Sequence, residues 1–230
     1  MSEYCILLTC FIYFCFFGEM VFIFRADGRF YRVFTWVYNF MYLNILFILS
    51  CVPIITIFPA VAALFGVVRE WKLHKEVAVF SQYKQMFMGN WKQSYLVGIL
   101  YTIMGMCIGV DWLFLNQIQS SLKLFIFSGV LVVSFLYLIS FLSIFPIMVN
   151  MTVTFKQLCM NSLKLGLYKI HLSIFCIIVL GAWTFLSLYF PFLMVFFFFS
   201  VSAYIIYWIA DLKFAWLLVR EDSTNKVTSV

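Results

Sequence analysis

Long apolar runs alternate with short polar stretches, and this rhythm sets the architecture. Residues 4–24, 33–68, 95–116, 122–148 and 172–210 are almost entirely apolar. A helix of about 20 residues crosses about 30 Å of hydrocarbon. The runs 4–24, 95–116 and 122–148 therefore each suit one crossing. The run 33–68 would make a single helix of about 54 Å, nearly twice what a bilayer needs. Pro53 and Pro59 fall in its middle, where a missing N–H breaks helical bonding. The pattern predicts a hairpin: one helix over 33–51, a Pro-flanked bend, and a second arm over 58–72 that is either a full span or re-entrant. The same length argument splits 172–210 into two spans turning near Pro191, and Pro146 falls near the end of the 122–148 span.

The polar stretches are of two kinds. Asn116 to Ser121 is a short polar turn, whereas 69–94 and 152–169 read as amphipathic helices on the membrane surface. In the first, Phe80, Tyr83, Phe87 and Trp91 recur at helical spacing, with Lys84, Gln85 and Lys92 off the stripe. In the second, Phe155, Leu158, Cys159 and Leu163 share a face, and Lys156, Gln157, Asn161 and Lys164 are polar. A weak internal echo pairs Phe58-Pro59 with Phe145-Pro146, each preceding an aromatic-Lys-Gln segment, Tyr83-Lys84-Gln85 and Phe155-Lys156-Gln157. Parallel repeats of this kind occur in transporters; interfacial composition alone produces the same pattern.

Composition agrees with a bilayer environment. Apolar residues make up 66% of the 230 and charged residues 10%, against about 45–50% and about 25% in soluble domains. The net charge of +6 does not point to nucleic acid, because the basic residues lie in short stretches between apolar runs. With the hairpins above, fourteen of the fifteen Lys and Arg fall on one side, and only Lys123 falls on the other. The positive-inside rule makes the basic side, with the C-terminus, cytoplasmic, facing anionic lipid headgroups of the cell membrane.

The expected fold class is all-α, a polytopic transmembrane bundle with about six core spans, an N-terminal hydrophobic helix and two cytoplasmic interfacial helices. Residues 1–24 are either a real helix or the product of a misplaced start; 25–220 form the transmembrane domain and 221–230 a polar tail. Among intramembrane residues, Asn39 and Asn44 either hold neighbouring helices or touch a polar solute. Asp111 is an interfacial acid beside Trp112 or a functional intramembrane one. Asp211 is expected to pair with Lys213 or with a basic loop. Arg69, Trp71, Lys84, Asn90, Lys92, Gln93, Lys156 and Lys164 are the candidates for docking a cytoplasmic partner or lipid. The seven scattered cysteines form no CxxC pair, and His74 and His171 lie far apart. The sequence thus offers no metal or cofactor site, and no catalytic motif.

An ordered set of short motifs resembles the YesL-like family, a bacterial membrane domain of unknown function. The matching pieces are Gly28-Arg29-Phe30-Tyr31-Arg32, Tyr42-Leu43-Asn44, Phe58-Pro59-Ala60 with Ala62-Ala63-Leu64, Arg69 with Trp71, and Phe87 followed by Asn90-Trp91-Lys92-Gln93-Ser94. The resemblance covers roughly 26–220, and the N-terminal hydrophobic segment departs from it. Members look like multi-span proteins encoded beside carbohydrate ABC importers and glycan-degrading enzymes. The resemblance implies an accessory or regulatory role in carbohydrate transport, with ABC transporter subunits as partners. A small solute permease and a structural protein that binds anionic lipid are the alternatives.

Overall fold

The structure is a computed structural model that describes residues 29–74, 78–115, 123–151 and 154–228, with side chains described between 33 and 215. The expected helix over 1–24, the turn from Asn116 to Ser121 and Lys75 lie outside the described residues. The order is α1 (Arg29–Ser50), a 3-10 turn (Ile54–Thr56), α2 (Ile57–Leu73), α3 (Val79–Gly89), α4 (Trp91–Leu115), α5 (Lys123–Asn150), α6 (Phe155–Leu167), α7 (Ile170–Tyr189), α8 (Pro191–Phe196) and α9 (Phe198–Thr228). Every element among the described residues is helical. Among the described residues six helices are long and apolar enough to cross a membrane: α1, α2 with its 3-10 turn, α4, α5, α7 and α9. The protein is a multi-pass, all-α membrane bundle.

The chain divides into two compact units, Met1–Tyr38 and Asn39–Val230. In the first, the described side chains include the exposed Val33, Phe34 and Val37. The second holds the packed core.

Helix ends fall where the sequence chemistry places them. α1 stops at Ser50, and the chain turns through Cys51, Val52 and Pro53. Pro59 is the third residue of α2, a position whose N–H has no intrahelical acceptor in any helix, so proline costs nothing there. Pro191 opens α8 in the same way. Pro146 lies inside α5, which nevertheless continues to Asn150. The two Phe-Pro pairs therefore occupy opposite ends of their helices and are not equivalent.

α2 is the central helix. Ala60, Ala62, Ala63, Val67 and Val68 are fully buried, and small residues let neighbouring backbones approach closely. Phe58 lies on Gly98 of α4, where a Cβ would meet its ring at 2.0 Å. Met86 of α3 fills the space over Gly66 in the same manner. Phe65 stacks on Phe145 of α5, with ring centroids 5.8 Å apart.

The two amphipathic helices turn inward only part of the stripes that the apolar spacing suggests: Tyr83 and Phe87 of α3, and Leu158 and Cys159 of α6, pack on the core. α3 buries Val79 and Tyr83 and leaves Phe80 exposed, while Trp91 begins α4. α6 buries Leu158, Ser162, Leu165 and Gly166, leaving Phe155 and Leu163 exposed. Both helices pack on protein, α3 on α2 and α6 on α5. Gly166 sits against Ile139, where a Cβ would lie 2.3 Å from the isoleucine methyl.

Candidate functional site

Polar side chains gather where the C-terminal turns of α2 and α5 meet α9. Asn150 is the hub: its Oδ1 accepts Arg69 Nε–H and the Tyr207 hydroxyl, each at 2.9 Å. Arg69 also pairs with Glu70 at 2.7 Å. One turn away, Lys72 pairs with Asp211 at 2.8 Å. Of the two expected partners of Asp211, the basic 69–94 stretch supplies the one it meets, Lys72 on α2, and Lys213 points elsewhere. A helix places residues two positions apart on different sides, which separates them.

Lys213 is 3% exposed. Its Nζ donates to the Leu165 carbonyl at 3.2 Å and to Ser173 Oγ at 2.6 Å. Ser173 in turn donates to the Gly166 carbonyl at 2.6 Å. Among the described residues no carboxylate pairs with this amine. Beside it is a niche of about 20 Å³, lined by Ser143, Cys176, Ile206 and Ile209 among others. That is room for about one water.

A third cluster consists of hydroxyls. Tyr101 of α4, Ser140 of α5 and Ser162 of α6 bond in a ring, with Ser140 to Ser162 at 3.0 Å and Tyr101 to Ser162 at 3.3 Å. Tyr137 donates to the Tyr101 carbonyl at 3.0 Å. Asn44, wholly buried, donates to the Val195 carbonyl at 2.7 Å and accepts the N–H groups of Phe199 and Ser200 at 3.0 and 3.1 Å.

The remaining candidates divide cleanly. Trp71 is buried, edge-on to Phe40 with centroids 5.1 Å apart. Asn90 closes α3, and its carbonyl accepts the Ser94 hydroxyl at 2.6 Å. Gln93 and Asn39 are half-buried, whereas Lys84, Lys92, Lys156 and Lys164 are exposed. Asp111 is exposed on the rim of an apolar cleft of about 300 Å³ between α4 and α5. Tyr83 is buried on α3, and burial pushes its phenol up to about 12. Among the described residues no group of His, Cys, Asp and Glu could hold a metal.

Sequence reasoning did not single out Glu70, Asn150 or Tyr207 as bonded groups, and it offered Asp211 rather than Leu165 and Ser173 as the partner of Lys213. A signal exists for one of them: Asn150 is the first amide after the 122–148 run.

Residues 40–112, from α1 into α4, match a family described as "Protein of unknown function, DUF624". Uncharacterized protein YteU of Bacillus subtilis (strain 168) is 27% identical over 181 residues, covering 77% of this chain and 81% of the relative. Uncharacterized protein YesL of the same organism is 28% identical over 127 residues, covering 54% of this chain and 59% of the relative. The chain is YesL-like. No solved structure matches it. The matched segment of this YesL-like chain contains Asn44, Arg69, Asn90 and the Phe58–Gly98 contact.

Proposed function

We propose that this integral membrane protein is a non-catalytic accessory or regulatory component of a carbohydrate ABC-type import system. Its basic helices α3 and α6 face the cytoplasm from the cell membrane. The observation that carries this reading is that two interior polar clusters close on themselves. Arg69, Asn150 and Tyr207 bond one another, as do Tyr101, Ser140 and Ser162. A solute pathway needs polar groups turned toward the solute to replace its water; these are turned toward each other. The lysines at 84, 92, 156 and 164 remain free to meet a partner. Carbohydrate import is what the YesL-like resemblance implies.

Affinity purification of the intact protein from native membranes tests this. Transporter subunits should co-purify, and Lys84→Glu with Lys156→Glu should release them. Recovery with no transporter subunit in several detergents would end the proposal.

A second reading draws on α6. Met160, Leu163 and Leu167 are exposed beside Lys156 and Lys164, a mixed face suited to an anionic lipid surface. Partner release by the charge reversals without loss of binding to anionic vesicles would separate the two readings.

A further inference from the structure

Length makes six helices among the described residues competent to cross a bilayer, and their relative register says how far each one reaches. Asn150 gives a common level, because Arg69 of α2 and Tyr207 of α9 both bond its side chain. From that level α5 runs back 27 residues to Lys123, about 40 Å at 1.5 Å per residue. α2 runs back only 12 residues to Ile57, about 18 Å, and its 3-10 turn adds about 6 Å. α9 runs back nine residues to Phe198, about 14 Å, and the whole of α8 adds at most about 9 Å. The hairpin α4–α5 thus outreaches the α1–α2 and α7–α9 hairpins by roughly 16 Å along the helices. The Phe65–Phe145 stack lays α2 alongside α5.

A separate contact gives the same answer. Phe58, at the start of α2, rests on Gly98. From Gly98, α4 continues 17 residues to Leu115, about 25 Å further. Beyond Tyr101, and apart from Leu115 at the end of α4, no described residue up to Leu138 is buried. The exposed side chains of this distal stretch are mostly apolar, including Met106, Leu113, Phe125 and Leu131, with the charged Asp111 and Lys123 toward its far end, a surface suited to hydrocarbon.

The chemistry of the tips agrees. The polar sequence Asn116-Gln-Ile-Gln-Ser-Ser121 joins α4 to α5. The α1–α2 turn instead exposes Val52, Ile54 and Ile55, the last two at 83% and 59%. Its Thr56 hydroxyl lies within bonding distance of the Ser50 and Pro53 carbonyls, and Thr56 N–H donates to Pro53 at 3.0 Å. The α7–α8 junction exposes Phe190 and Phe192, and at the α8–α9 break Asn44 bonds the backbone groups of Val195, Phe199 and Ser200. Non-helical backbone survives at membrane depth only when its polar groups are bonded within the protein, and the groups just named are so bonded.

We infer that the α1–α2 and α7–α9 hairpins are re-entrant. Their tips end inside the hydrocarbon against lipid acyl chains, short of the level that the distal ends of α4 and α5 reach among the described residues. This stands whether or not a transport partner exists.

Spin labels in a cysteine-free full-length background, reconstituted in liposomes, test it through their relative accessibility to oxygen and to a water-soluble nickel complex. Ile54→Cys, Val52→Cys, Phe192→Cys and Phe190→Cys should favour oxygen over nickel by at least several-fold relative to Ile118→Cys. Lys84→Cys should resemble Ile118→Cys. Two positions per tip guard against one label disturbing its turn. Nickel accessibility at both positions of a tip equal to that at Ile118→Cys would overturn the inference for that hairpin.

Discussion

The side-chain Oδ1 of Asn44 accepts the backbone N–H of Ser200 at 3.1 Å, across 156 residues of sequence. Chain distance this long means that the amide holds two hairpins together. It meets the chain where α8 gives way to α9 and helical bonding lapses, and it covers a carbonyl and two N–H groups there. Nothing in lipid can take its place, since hydrocarbon offers no donor or acceptor.

Asn44→Leu should therefore destabilise the protein by about 2–4 kcal/mol, the cost of leaving these groups unbonded. Asn39→Leu, at a half-buried amide five residues earlier in the same helix, should cost under about 1 kcal/mol. Thermal unfolding of both variants in one detergent measures the difference.

The glycines of α4 divide by what surrounds them. A Cβ at Gly98 would overlap the Phe58 ring, whereas a Cβ at Gly109 meets nothing within 4 Å. Gly98→Ala should cost about 1–3 kcal/mol through overpacking, and Gly109→Ala should stay within about 0.5 kcal/mol of the parent. Denaturant or thermal titration of the pair checks it.

The buried amine of Lys213 has neutral oxygen partners at Leu165 and Ser173. Replacing a buried charge by an apolar side chain of similar length removes a desolvation penalty, while removing its partner leaves the charge stranded. Lys213→Met should be neutral or stabilising, and Ser173→Ala should destabilise by about 1–3 kcal/mol. In the double variant the Ser173→Ala cost should shrink markedly, which a double-mutant cycle measures.

Lys72 and Asp211 form an ion pair whose side chains are 24% and 45% exposed. Solvent screening at that exposure limits the coupling to about 1 kcal/mol or less. A cycle built on Lys72→Ala and Asp211→Ala should show a small coupling that falls as salt is raised.

Much of the fold was legible because length and proline act locally. A run of 36 apolar residues with Pro53 and Pro59 at its centre has to fold back, and α1 and α2 do so between Ser50 and Ile57. The inward faces of α3 and α6 were less legible. In water, apolar spacing marks the face that packs on protein. In a bilayer, lipid accepts apolar side chains as readily as protein does, so Phe80, Phe155 and Leu163 stay outside while Ser162 packs within. The polar partnerships were the least legible. Lys72 finds Asp211 at a separation of 139 residues, and Asn150 finds Arg69 and Tyr207 at 81 and 57. Hydropathy reports where a polar residue sits along a run and says nothing of which helix it faces.

The central claim is that α3 and α6 present their lysines on one side of the membrane. Labelling of Lys84→Cys and Lys156→Cys in a cysteine-free background, with a membrane-impermeant thiol reagent on sealed vesicles of known orientation, tests it most directly. The account predicts that both label only from the cytoplasmic side, with Lys123→Cys labelling only from the opposite one. Labelling of positions 84 and 156 from opposite sides would contradict it.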